Sequence, residues 1–319
     1  MRILVLGGTS FVGRAIVEAA VESGHDLTLF SRGKTGTDVL PELERRIGDR
    51  STGDYASLAE GSWDAVVDVS GYVPRHVQQA TAALGDRVGR YLFISTGSVY
   101  DKTSGDGGVG EDSARVVPER DTEEITPESY GRLKVACEDD VVSRYADRAT
   151  VVRPGIVAGP HDPTDRFTYW VRRAARGGQV AVPGRLDQPV QVVDSGDLGR
   201  LVVTLLEKDL PGVFNAVGPA DPVTLADLVT TCARAAGTDA TPVQVAADAV
   251  EPGFPLVVPD PSWDVMFRRS AAAAYDVGMP KTPLQQTAAD VLAWDAARGL
   301  PPLKVELTPE REAELLAAT

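Results

Sequence analysis

Along the first half of the chain, short apolar runs alternate with longer stretches in which apolar residues recur every three or four positions. The short runs read as strands buried on both faces and the longer stretches as amphipathic helices. Their alternation is the pattern of a parallel sheet covered on both sides. The first run, residues 3–6, stops at Gly7-Gly8, and a helix opens at Phe11-Val12-Gly13 and continues through Ala15, Ile16, Ala19 and Ala20. A second strand built on Leu27, Leu29 and Phe30 ends at Ser31-Arg32-Gly33. The third covers 46–49 and the fourth 63–69, ending at Ser70-Gly71. A helix over 74–84 leads to RYLFISTGSVY, an apolar fifth strand whose end presents Ser95, Thr96, Gly97 and Ser98. Residues 101–112, rich in Gly, Ser and Asp, predict a loop and a mobile flap.

A helix start follows at Thr126-Pro127-Glu128, with a capping hydroxyl, proline at the first helical position and an early carboxylate. It places Tyr130 and Lys134 four residues apart on one helical face. Residues 149–153 form a sixth strand closed by Pro154-Gly155, and beyond it the texture changes. A basic, aromatic helix in GPHDPTDRFTYWVRRAARGG is followed by short elements at 191–193, 197–206 and 213–215 and by a helix capped by Thr224 with Asp227 three residues on. Thr282-Pro283 and Thr308-Pro309 signal two more. The expected fold is α/β, a Rossmann-type doubly wound parallel sheet with a smaller C-terminal substrate-binding α/β lobe. Residues 1–155, completed by segments around 190–220, would bind the dinucleotide, and 156–319 would mainly form the second lobe.

The glycine turn carries the first chemistry. Without side chains at Gly7 and Gly13, backbone N–H groups and the positive end of the new helix approach a pyrophosphate closely, which makes Gly7, Thr9, Ser10, Phe11, Val12 and Gly13 the candidate cradle. At the end of the second strand a carboxylate would bond a ribose 2′-hydroxyl. Ser31 and Arg32, with Lys34 nearby, suit a 2′-phosphate instead, so NADP(H) is expected over NAD(H); a charged surface turn is the plainer alternative.

Hydride transfer at a carbinol carbon needs an acid/base working near neutral pH, and free tyrosine titrates at about 10. A lysine ammonium one turn away biases it toward phenolate, and a strand-end hydroxyl completes the site. Thr96, Tyr130 and Lys134 fit these roles.

Composition narrows the setting. A net charge of −14 disfavours nucleic acid and anionic membranes as partners. Two cysteines, Cys137 and Cys232, are too few for a disulfide framework and fit a reducing cytosol. No metal cluster is visible, no apolar run approaches membrane-spanning length, and no charged-then-apolar leader precedes the first strand. A cytoplasmic enzyme with a small-molecule substrate is the expectation.

With these residues in place, the sequence resembles the short-chain dehydrogenase/reductase superfamily, in its extended branch of NAD-dependent epimerases and dehydratases. The resemblance rests on GGTSFVG, Gly48-Asp49, DVSG, FISTGSVY, YGRLK, RPGIVAGP, QVVDSGDL, FNAVG and TPLQQTAADVLAW. It implies that Asp49 and Arg50 flank the adenine, that Ser70 and Gly71 line the cofactor trough, and that Pro154 to Ile156 pass beside the nicotinamide. It also implies a seven-stranded sheet and frequent homodimerisation through the helix carrying the tyrosine and its neighbour.

The departures are informative. Ser10 replaces the middle glycine, as in atypical branches that include chloroplast stem-loop RNA-binding proteins. A non-catalytic binding member is therefore a third reading beside an oxidoreductase and an epimerase with retained cofactor, although Tyr130, Lys134 and the acidic surface argue against it. Thr96 is followed by Gly97-Ser98 rather than Asp-Glu, which argues against 4,6-dehydratase chemistry. Sugar-nucleotide members carry an arginine before the V-x-D-L run where this chain has Val190 between Pro189 and Gln191, so a nucleoside-diphosphate sugar is not the expected substrate unless Arg166 or Arg185 substitutes. Ser98, His161, Arg166 and Arg185 are the candidate substrate contacts. Asp162 and Asp165 serve turn formation at least as readily, and Tyr169 and Trp170 are expected in the core.

Overall fold

The computed structural model describes residues 1–37, 39–103 and 109–319; residues 104–108, in the middle of the expected flap, lie outside the described residues. In chain order the elements begin with β1 (Arg2–Leu6), α1 (Phe11–Glu22), β2 (Asp26–Ser31), β3 (Glu44–Ile47), β4 (Trp63–Asp68), α2 (Pro74–Leu84) and β5 (Val88–Ile94). They continue with α3 (Ser129–Tyr145), β6 (Ala149–Pro154), β7 (Ile156–Ala158), α4 (Arg166–Ala174), β8 (Gly178–Pro183), β9 (Pro189–Val190), β10 (Val192–Asp194) and α5 (Ser195–Glu207). The last are β11 (Gly212–Ala216), β12 (Val223–Thr224), α6 (Leu225–Ala236), β13 (Ala240–Val245), α7 (Ala272–Val277), α8 (Leu284–Ala297) and α9 (Pro309–Ala317).

These elements fall into two compact units. The first joins residues 1–155 to 196–216 and 269–280. Its seven-stranded sheet has the order β11-β6-β5-β4-β1-β2-β3, parallel throughout. The strands are apolar on both faces because helices cover both: Leu4, Leu6, Val66, Tyr91 and Phe93 pack with Val77, Ala80, Cys137 and Val141 of α2 and α3 in one buried cluster. Chain order reverses at β1, which lies between β2 and β4, so the carboxyl ends of β1 and β4 form the topological switch point of the sheet.

The start of α3 shows how local chemistry sets an element. Its regular hydrogen bonding runs over Ser129–Tyr145, three residues beyond the capping hydroxyl. The cap itself forms as the sequence implies: Ser129 N donates to Thr126 Oγ1 (3.2 Å) and Tyr130 N to the Thr126 carbonyl (2.9 Å). A tight turn at Pro127-Glu128 precedes the regular helix.

The second unit comprises 156–195, 217–268 and 281–319. Its core gathers Phe167, Trp170, Val180, Leu228, Val229 and Val291 from α4, β8, α6 and α8. Trp170 donates its indole N–H to the Pro255 carbonyl (2.9 Å), and Tyr169 meets Phe254 edge-on, so both aromatics are core as expected. A capping box of Thr224 and Asp227 starts α6, and Thr308 caps α9. No helix among the described residues is long and apolar enough to cross a membrane.

Candidate active site

At the end of β1, Gly7 adopts φ +94°, and a Cβ there would lie 2.8 Å from Ser70 Cβ. Within the first turn of α1, a Cβ on Gly13 would lie 2.1 Å from the Gly7 carbonyl oxygen. The two glycines thus let strand, turn and helix close on one another. Ser10, the N-cap of α1, is extended and makes no side-chain cap. The first-turn amides of Phe11, Val12 and Gly13 are left to an outside acceptor, the arrangement that takes an anion. Thr9 is nearly buried, and Gly36 (φ +59°) closes over it, since a Cβ there would lie 2.2 Å from the Thr9 carbonyl oxygen. This cradle fits a dinucleotide pyrophosphate.

At the neighbouring strand ends, Ser31 is half-buried and its hydroxyl accepts from Gly33 N (3.3 Å). Arg32 and Lys34 are exposed. The Asp49 carboxyl is held below the usual range by hydrogen bonds from Ser51, with the charges of Arg32 and Lys34 adding to the effect. The Asp49 carboxylate, just after β3, thus lies within electrostatic reach of Arg32 and Lys34, just after β2.

Arg50 is nearly buried, and five hydrogen bonds engage its guanidinium. Two go to Asp68 (2.5 and 2.8 Å), and one each to Ser70 Oγ (3.0 Å), the His76 carbonyl (2.9 Å) and Tyr55 Oη (3.3 Å). Burial pushes the Asp68 carboxyl up, but Arg50 and the Tyr91 hydroxyl together hold it below the usual range. The family resemblance places Arg50 beside the adenine; in the structure its side chain is engaged at the end of β4.

Of the candidate acid/base residues, Tyr130 and Lys134 lie on α3 and Thr96 follows β5. Lys134 is buried, and its ammonium donates to the carbonyls of Ile94 (2.7 Å) and Gly71 (2.9 Å), 4.1 Å from the Phe93 ring centroid. Burial pulls the ammonium down to about 8, against the opposing influence of Cys137, Asp68 and Glu138. It remains protonated at neutral pH and keeps one N–H beyond the two carbonyls. Tyr130, one turn earlier, is half-buried. Thr96, nearly buried, accepts from Ser98 N through Oγ1 (3.1 Å), which fixes the turn after β5. Gly131 seats α3 on this turn, because a Cβ there would lie 2.2 Å from the Ser98 carbonyl oxygen.

Beneath them lies a group of residues not singled out from the sequence. Glu138 Oε1 accepts from Ser95 Oγ (2.5 Å), Arg153 binds the same carboxylate with two N–H groups (2.9 and 2.7 Å), and Arg115 adds a third cationic contact (3.0 Å). The four-residue step from Lys134 to Glu138 on one helical face was the available signal. Pro154 ends β6 in the first unit, fully buried.

The remaining candidates belong to the second unit. Ile156 opens β7, paired with Val192. His161 has φ +69° and meets Trp294 edge-on at 5.4 Å. Asp162 folds its own turn, Oδ1 accepting from Thr164 N (2.8 Å) and Thr164 Oγ1 (2.7 Å), while burial raises its carboxyl. Arg166 reaches Thr164 Oγ1 (3.1 Å), Asp165 pairs with Arg298 (2.9 Å), and Arg185 pairs with Asp264 (2.5 Å). Val190 is buried in β9 opposite Val223.

A Rossmann-like parallel sheet thus carries a glycine turn at its switch point and, beside it, a helix bearing Tyr130 and Lys134. The model of the NAD-dependent epimerase/dehydratase family matches residues 3–216, and the chain belongs to that family. Chloroplast stem-loop binding protein of 41 kDa b from Arabidopsis thaliana is 26% identical over 253 residues, which span 74% of this chain and 63% of that protein. A bifunctional pinoresinol-lariciresinol reductase from Linum usitatissimum is 47% identical over 38 residues, 12% of each chain.

Among solved structures, UDP-glucuronic acid 4-epimerase from Bacillus cereus, in complex with UDP-glucuronic acid and NAD, shares the fold with a TM-score of 0.70. It is 18% identical and covers 93% of this chain and 100% of its own. UDP-N-acetylglucosamine 4-epimerase from Methanobrevibacter ruminantium gives 0.71 at 14% identity, covering 93% and 98%.

Proposed function

We propose that this protein is an NADP(H)-dependent oxidoreductase acting on a hydroxyl or ketone of a small polar or sugar-like metabolite through Thr96, Tyr130 and Lys134. The observation that carries the reading is the buried Lys134 ammonium, held by two strand-end carbonyls one helical turn from Tyr130. A nicotinamide in the trough would accept or supply the hydride. In the oxidative direction the Tyr130 phenolate takes the hydroxyl proton of the substrate, and in reduction the phenol returns it. Lys134 favours the phenolate electrostatically, and the Thr96 hydroxyl hydrogen-bonds the same substrate oxygen.

Arg32 and Ser31 favour a 2′-phosphate, the second unit serves as the substrate lobe through His161, Arg166 and Arg185, and Ser98 is the substrate contact proposed in the first unit. Buried Val190 in place of an arginine supports a substrate other than a nucleoside-diphosphate sugar, because a pyrophosphate there would lack its cation. Both cysteines are free and buried, which suits a reducing cytoplasm. The net charge of −14 supports a small molecule over RNA. The family resemblance supports a homodimer formed through α3, the helix carrying Tyr130, and its neighbour.

Family membership favours a second reading, an epimerase that oxidises and re-reduces one carbon with a retained cofactor. The test is a metabolite screen that follows reduced-nicotinamide absorbance with wild type and Tyr130→Phe. Wild type should consume cofactor stoichiometrically, and Tyr130→Phe should lose about 10²–10⁴ in rate while keeping cofactor affinity. Near wild-type turnover by Tyr130→Phe would refute the assignment. Cofactor that copurifies, with turnover needing none added, would select the epimerase.

A further inference from the structure

Ser70 stands where the glycine cradle and the lysine meet, and Asp68 and Arg50 supply two of its three hydrogen bonds. Its N–H donates to Asp68 Oδ1 (3.1 Å), its hydroxyl accepts from Arg50 Nη1 (3.0 Å) and donates to the Leu6 carbonyl (3.2 Å). Its Cβ fills the space that a side chain on Gly7 would need. The next residue, Gly71, presents the carbonyl that holds Lys134 (2.9 Å), and a Cβ there would lie 3.1 Å from Asp68 Oδ2. Tyr91 Oη donates to that same Oδ2 (2.7 Å).

A guanidinium has five N–H groups. With five bonds to Asp68, Ser70, Tyr55 and the His76 carbonyl, Arg50 has no donor to spare for an adenine. A buried ion pair of this kind adds little net stability over an apolar pair of similar volume, yet breaking it one-sidedly is costly. The use that distinguishes it is geometric.

We propose that Arg50 and Asp68 are a positioning pair for the dinucleotide cradle: they set Ser70 against Gly7 and orient the Gly71 carbonyl that holds Lys134. This rests on the dinucleotide reading above. The pair touches neither cofactor nor substrate and acts through Ser70 and Gly71, linking the pyrophosphate end of the trough to the lysine.

The experiment compares melting temperature with fluorescence titration of NADPH and NADH in wild type, Arg50→Met, the double variant Arg50→Met/Asp68→Asn, and Ser70→Ala. Arg50→Met alone strands a buried carboxylate and should lower both melting temperature and affinity. The double variant removes both charges and keeps an acceptor for Ser70 N, so its melting temperature should return toward wild type. Its affinity for the preferred dinucleotide should stay weaker by at least about tenfold, because the link from Arg50 to Ser70 is gone. Ser70→Ala should melt near wild type and also bind at least about tenfold more weakly.

A double variant that regains wild-type affinity together with wild-type stability would overturn the positioning role, as would full affinity in Ser70→Ala. Should the double variant fail to fold, Ser70→Ala decides alone. A wild-type chain that binds neither dinucleotide would overturn the underlying reading, and this one with it, and is distinguished by the first titration.

Discussion

Lys134 offers a test in which site and stability are read by one group. Its ammonium is buried and its pKa drawn down from 10.5 to about 8, with burial as the main cause. The unfolded chain keeps this proton up to about 10.5, whereas the folded chain releases it near 8. Between those values the unfolded state binds more protons, so the contribution of Lys134 to stability rises with pH. The full change corresponds to about 3 kcal/mol, of which about 1.4 kcal/mol should appear between pH 7 and pH 9. The assay is urea unfolding of wild type and Lys134→Met at pH 7, 8, 9 and 10. Taking the difference between the two chains at each pH cancels the tyrosines, which titrate in both. Wild type minus Lys134→Met should be flat below pH 8 and then climb. A difference that stays level, or falls, would show that the ammonium is not held in a desolvated site, and the electrostatic support for Tyr130 would lose its basis.

Three further outcomes follow from the same structure. Gly13→Ala places a methyl 2.1 Å from the Gly7 carbonyl oxygen, so the turn must open and dinucleotide affinity should fall beyond detection by fluorescence titration; unchanged affinity would contradict the cradle. Arg32→Ala should erase a tenfold to hundredfold preference for NADPH over NADH, the equivalent of one charge-assisted contact of about 1.5–3 kcal/mol, and a preference it leaves untouched would place phosphate recognition elsewhere. In the second unit, the buried Glu312 carboxylate takes Arg173 Nε (2.5 and 2.6 Å), Arg176 Nη2 (3.2 Å) and Ala181 N (3.1 Å). Glu312→Gln should therefore cost about 3–5 kcal/mol in chemical denaturation, and a loss under about 1 kcal/mol would mean that the pair is solvated.

The parts of the fold legible in the sequence are those whose causes are local. The glycine turn before α1, Pro74 at the start of α2 and the Thr224, Thr308 and Thr126 caps each act within a few residues, and each marks an element start in the structure. The apolar runs of β1, β4 and β5 read plainly because both faces of these strands are covered. The parallel pairing of β8 with β13 did not, since Gln179, Thr241 and Gln244 interrupt any apolar period and the strands lie far apart in the chain. Nor did the charged layer under the site. Arg50 with Asp68 and Glu138 with Arg153 are partners only after folding, and α3 hides its inward face by burying Lys134 and Glu138 among apolar residues. A helix that puts charge inside defeats the periodicity by which amphipathic helices are recognised.

The measurement that bears most directly on the central assignment is titration of the purified protein with NADPH and with NADH, in wild type and in Gly13→Ala. Saturable binding at one site per chain, tighter for NADPH and lost in Gly13→Ala, is the expected result. Absence of saturable binding in wild type, or binding that survives Gly13→Ala unchanged, would contradict it.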